Sequence, residues 1–111
     1  MQTVDLTNIT TYPITQRRNL VHLSDLVSPE APMPDFDSDE LPRVVDAIVA
    51  ARHAERPVVW MMGAHVVKSG LSRLVIDLMA RGIITHVAGN GAVSIHDVEL
   101  AMIGATSEDV A

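Results

Sequence analysis

The stretch VAGNGAVSIHD, residues 87–97, decides the fold. An Asn-Gly pair between apolar runs is the strongest short-range signal for a β-hairpin. The same residues also fit a glycine-rich loop that leads from a strand into a helix. A hairpin requires AVSIH to be a strand. Ser94 followed three residues later by Asp97 instead resembles a capping box, and Ile95, Val98, Ala101 and Met102 then fall on one helical face. The stretch is therefore read as strand, glycine-rich loop and helix.

Working outward, IITHVA (83–88) is β-branched and apolar and reads as the strand before that loop. GLSRLVIDLMARG (70–82) places Leu71, Leu74, Val75, Leu78 and Met79 on one helical face, with Gly82 where a C′ glycine belongs. VVWMM (58–62), flanked by Pro57 and Gly63, is a short continuous apolar run of the kind found in strands buried on both faces. Before it, SDELPRVVDAIVAARHAERP (38–57) aligns Leu41, Val44, Val45, Ile48 and Val49, with Ser38 as N-cap and Pro57 ending the run. Helix, strand, helix, strand, loop and helix make a βαβ unit, hence an α/β fold on a parallel sheet. GATSEDVA (104–111) opens a further helix, Gly104 being the stop signal and Thr106 or Ser107 the next N-cap. Ending there, the chain is expected to be an N-terminal fragment or a truncated gene product.

Residues 1–38 show no sustained period, and VSPEAPMPDFDSDE (27–40) mixes prolines with acidic residues. They read as an N-terminal extension and linker, a loosely attached leader rather than an arm using Tyr12, Arg17 and Arg18; residues 39–111 form the folded domain. A chain of 111 residues suits one domain, and with 48% hydrophobic but only 3% aromatic residues its single core is expected from Val, Ile, Leu, Met and Ala. Met61, Met62, Met79 and Met102 belong to that core. A net charge of −6 with Lys68 as the one lysine argues against a nucleic-acid surface. The lack of cysteine fits a reducing cytosol, and no stretch is long and apolar enough to span a membrane.

Ligands of parallel α/β sheets bind outside the carboxyl ends of the strands. Two loops stand there, GAHVVKSG (63–70) and GNGAVS (89–94), both rich in small residues and both leading into helices. His65 and His96 follow the two strands and are candidates for one ligand; Lys68, before a helix, is a candidate for an anionic group of it. Asp97 reads as a helix N-terminal charge or an acid. His86 lies within a strand as a structural histidine, and no spacing suits a metal site.

The block MMGAHVVKSGLSRLVIDLMARGIITHVAGNGAVSIHDVELAMIGATSEDV resembles the first nucleotide-binding region of the deoxyhypusine synthase family, in its bacterial deoxyhypusine-synthase-like branch. Ser69 and Gly70 match the end of the family's first loop, Gly91 its second loop and Asp97 its acidic helix start. The resemblance implies an incomplete Rossmann-like parallel sheet that binds NAD, with His65, Lys68, Ser69, Asn90, Gly91 and Ala92 on the dinucleotide side and His96 and Asp97 toward substrate. It implies NAD-dependent aminoalkyl transfer to an amine or lysine through an imine, a small-molecule amine substrate, a homo-oligomer and a cytoplasmic protein. The imine-forming lysine of the family has no counterpart in this chain, which alone is expected to be inactive. His65 stands in place of an asparagine, Lys68 of a serine, Asn90 of a threonine, and Ile95 and His96 of paired glutamates. Since carboxylates best hold an amine, a same-family enzyme with a different amine or amino-acid substrate stays open. So does a non-catalytic nucleotide-binding or subunit-interaction module.

Overall fold

A computed structural model describes residues 7–110; residues 1–6 of the N-terminal extension, and Ala111 of the expected last helix, lie outside the described residues. In chain order it contains β1 (Asn19–His22), α1 (Leu41–His53), β2 (Val59–Met62), α2 (His65–Lys68), α3 (Ser72–Ala80), β3 (His86–Gly89), α4 (Gly91–Ile103) and β4 (Ala105–Glu108). Single-turn 3₁₀ segments flank β1 at Ile14–Gln16 and Leu23–Asp25. β2 and β3 pair in parallel, with Val59 opposite His86 and Met62 opposite Gly89. β1 and β4 pair antiparallel, with Asn19 opposite Glu108 and His22 opposite Ala105. The fold is mixed α/β on two small sheets.

The glycine-rich stretch is a strand-to-helix junction, as expected, but its cap is displaced. Asn90, in extended geometry, accepts a bond from the Val93 N–H at 3.3 Å through its Oδ1, so α4 begins at Gly91 and Ser94 is already inside it. An asparagine amide caps as well as a serine hydroxyl does, and it comes first in the chain. Thr85 closes the opposite end of the parallel pair. Its Oγ1 accepts from the Val58 N–H and donates to the Val58 carbonyl, both at 2.9 Å.

Helix ends follow local backbone chemistry. α2 and α3 each finish in a left-handed glycine, Gly70 at φ 77° and Gly82 at φ 69°, with the paired bonds of a Schellman turn: Leu71 N–H to Val66 O and Ile83 N–H to Leu78 O. α1 makes the same turn without glycine. Glu55 takes φ 53° there and Arg56 N–H reaches Ala51 O at 2.8 Å, so α1 stops at His53, before Pro57 is reached. At its start Glu40, whose side chain pairs with Arg43 and makes no capping bond, occupies the cap position expected for Ser38.

Three expectations are corrected. GATSEDVA does not open a helix: Gly104, at φ 68°, ends α4, and the next residues are β4. Thr106 and Ser107 are buried strand residues because β1, from the supposed linker, supplies the backbone partners that a strand needs. That pairing was invisible in the chain's periodicity. β2 is not buried on both faces, since Val59 and Met61 are exposed, Met61 at 81%. The inward stripe of α4 is also rotated from the expected one: Leu100 is buried and the His96 and Glu99 side chains are mostly covered, whereas Ile95, Val98 and Met102 face solvent. α4 is apolar around most of its circumference, so its pattern points weakly to any one side.

The single well-filled core is not observed. Ala64, Val67, Val75, Ile84, Leu100 and Ala105 are buried, while Val44, Val45 and Val49 of α1 and Met79 of α3 stay exposed. The radius of gyration is 18.3 Å, against about 13 Å for a compact domain of this length.

Candidate functional site

At the carboxyl ends of β2 and β3 the chain forms a concavity of about 380 Å³ lined by Met61, Met62, Gly63, Ala88, Gly89 and Asn90. Two local features shape it. β3 ends in Gly89 and Gly63 follows β2 directly, and a Cβ placed on Gly63 would meet no atom within 4 Å. Beyond Asn90, α4 runs for 13 residues; in its first turn the Val93 N–H is taken by Asn90, while those of Gly91 and Ala92 have no helical carbonyl within reach. Gly91 also has open space where a side chain would project. The result is a shallow, mostly apolar hollow with hydrogen-bond donors and the positive end of a helix dipole beside it.

Asn90 lines the concavity, and Gly91 and Ala92 adjoin it as the first residues of α4. His65, Lys68 and Ser69 lie on α2 and its C-cap and do not line it. Lys68 closes α2 rather than opening a helix, so its charge sits at a helix C-terminus, where a cation is favoured. Gly70, matched to the family's first loop, serves the packing instead. A Cβ there would stand 2.6 Å from the Asp25 carbonyl, and the Val27 N–H donates to the Gly70 carbonyl at 2.8 Å. Asp97 lines a different hollow, about 320 Å³ in size, with Met62, Val75, Ile76 and Val87.

His96 is turned away from the strand ends into a polar cluster. Its Nδ1 lies 2.7 Å from Thr106 Oγ1, and that hydroxyl donates to Glu99 Oε2 at 2.5 Å. Thr106 has one proton to give, so His96 Nδ1–H donates to it in the arrangement that satisfies all three groups. The other Glu99 oxygen receives Arg17 Nη1 at 2.6 Å. Arg17 Nε donates to Asn19 Oδ1, and Asn19 Nδ2 returns a bond to the Arg17 carbonyl. The Arg17 hydrogen bond, followed by that from Thr106 and the Arg17 and His96 charges, outweighs burial and lowers the Glu99 carboxyl to about 2. On the same side Tyr12 donates to Glu108, and Arg18 pairs with Asp109 at 3.2 Å.

Arg17, Glu99 and Thr106 were not singled out as a group by sequence reasoning. One signal for them existed: His96, Glu99, Leu100 and Ile103 recur at i, i+3, i+4 and i+7, a helical stripe as regular as the apolar one. Among the described residues no group of histidines and carboxylates could hold a metal ion, and no helix is long and apolar enough to cross a membrane. Compared with known proteins, the chain matches no family model, no curated protein and no solved structure.

Proposed function

We propose that the chain is the nucleotide-binding part of a deoxyhypusine-synthase-like protein and that it holds NAD across the carboxyl ends of β2 and β3. One observation carries this reading: the concavity bounded by Gly63, Gly89 and Asn90 stands where parallel α/β sheets take their ligands, next to the N-terminus of α4. The residues present fit the diphosphate half of such a ligand. Open space at Gly63 and Gly91 admits close approach to the backbone, and the N–H groups of Gly91 and Ala92 offer donors to phosphate oxygens. When bound, NAD supplies the hydride-accepting chemistry of aminoalkyl transfer. This chain's part is to bind and orient it; His96, committed to Thr106 and Glu99, holds α4 in place.

Calorimetry with NAD and the whole chain tests the reading. Binding is expected, and Gly63→Val and Gly91→Val should each abolish it with the far-ultraviolet circular dichroism unchanged, because a Cβ at either position stands in open space. No binding by the wild-type chain, or undiminished affinity in both variants, overturns it. Lys68→Ala measures the extent of the site: a loss of roughly 1 to 3 kcal/mol carries it onto α2, and affinity within about twofold of wild type confines it to the strand ends.

A further inference from the structure

Two features are each left unsatisfied within one copy of the chain. The first is an apolar groove of about 490 Å³ walled by Val45, Ile48 and Val49 of α1 and by Leu78 and Ile83, with Arg52 beside them. Arg52 donates to the Arg56 carbonyl, but among the described residues no carboxylate pairs with it. The second is the segment PMPDFD (32–37), which belongs to no helix or strand. It holds Met33 and Phe36 at 84% and 70% exposure, and Asp35 and Asp37 flank the aromatic ring. Neither Met33 nor Phe36 lines the groove of its own copy.

We propose that the two features meet between copies: segment 32–37 of one chain lies in the α1–α3 groove of a second, and the exchange is reciprocal. The Phe36 ring fills the apolar wall while Asp35 or Asp37 faces the unpaired Arg52 guanidinium. Groove and segment are carried by the same chain, which is the condition for a closed two-fold dimer. Pro32 and Pro34 hold the segment extended, lowering the entropy lost when it docks. The areas agree with this arrangement. The chain exposes 8825 Å², whereas size scaling gives about 6000 Å² for a compact monomer of 12.0 kDa. The excess, on the order of 2000 to 3000 Å², exceeds the roughly 800 Å² per partner of a standard stable interface. Docking on α1 leaves the strand-end concavity free, so the inference is independent of the NAD reading.

The chain has no cysteine, which makes disulfide trapping clean. A Phe36→Cys chain mixed with a Val49→Cys chain under mild oxidation should give a covalent dimer that neither gives alone. Sedimentation of the wild-type chain should show a discrete dimer, weakened about tenfold or more by Phe36→Ser, the scale of a lost aromatic anchor. Arg52→Glu should weaken it as well, and Asp35→Arg with Asp37→Arg should restore it. A monomeric or polydisperse wild-type chain overturns the proposal, as does a dimer that Phe36→Ser leaves unchanged. So does a mixture that forms no cross-link, or a Phe36→Cys, Val49→Cys double variant that closes its disulfide within one chain, which would seat the segment in its own groove.

Discussion

The two strand pairs of this molecule are opposite in character. β2 and β3 are apolar and parallel, and the longer helix between them, α3, is one that the hydrophobic pattern announces, yet their side chains lie largely exposed. β1 and β4 are polar and antiparallel, and nothing in the periodicity announces them, yet Thr106 at their centre is fully buried. The difference lies in what each pair obtains from the rest of the chain. The antiparallel pair is knit by a chain of specific bonds, from Asn19 through Arg17 and Glu99 to Thr106 and His96, which lets these polar groups go inward with only Arg17 Nη2 among them buried without a partner. Burial of the parallel pair needs apolar area from a neighbour, and the described residues leave Val59, Met61 and Val87 exposed. Hydrophobicity therefore marks the surfaces that require a cover, while hydrogen-bond complementarity marks the ones this chain covers itself.

The largest test of that contrast is Glu99→Ala. It strands Arg17 in a mostly buried position and should cost about 2 to 3 kcal/mol, somewhat below the range for a fully enclosed pair. Amide exchange should accelerate in β1 and β4 and stay unchanged in β2 and β3; loss of protection in both would show that the two pairs are one cooperative unit. The same carboxylate sets an acid limb. Its folded value of about 2 lies below the ordinary 4.5, so its contribution is complete above pH 4.5 and is lost as pH falls toward 2. Protection of β1 should decline across that window in the wild-type chain but not in Glu99→Gln.

A smaller effect, of opposite sign, is expected at α1. Glu55 occupies a left-handed turn position that glycine adopts without strain, so Glu55→Gly should raise stability by roughly 0.5 to 1 kcal/mol in thermal unfolding. The smallest effect is the sharpest for the comparison. Met61→Ser, at a position 81% exposed, should change the stability of the dilute chain by less than about 0.5 kcal/mol. A loss of more than about 1 kcal/mol would mean that β2 is covered in solution.

How much of this was legible can be read residue by residue. The strand-to-helix reading of residues 87–97 rested on patterns within a dozen residues and agrees with the structure, while the cap itself moved from Ser94 to Asn90. Gly82 and Gly104 ended their helices as expected, since a left-handed C′ position is a local requirement. Of the candidate site, Asn90, Gly91 and Ala92 are neighbours along the chain and so stay together, whereas His65, Lys68 and Ser69 are carried off on a helical turn that the small-residue loop did not suggest.

The sequence by itself determined the elements whose causes are local: the helices α1 and α3, the strands β2 and β3 that follow them, and the glycine junction that opens a hollow at the strand ends. The tertiary structure alone decided which faces are covered. Whether α4 turns Ile95 or His96 inward, and whether residues 19–22 and 105–108 are linker, helix or strand, depends on partners more than 80 residues apart. Short-range propensity contains no term for such a meeting; the energy of the Arg17, Glu99 and Thr106 bonds exists only once the fold has brought them together.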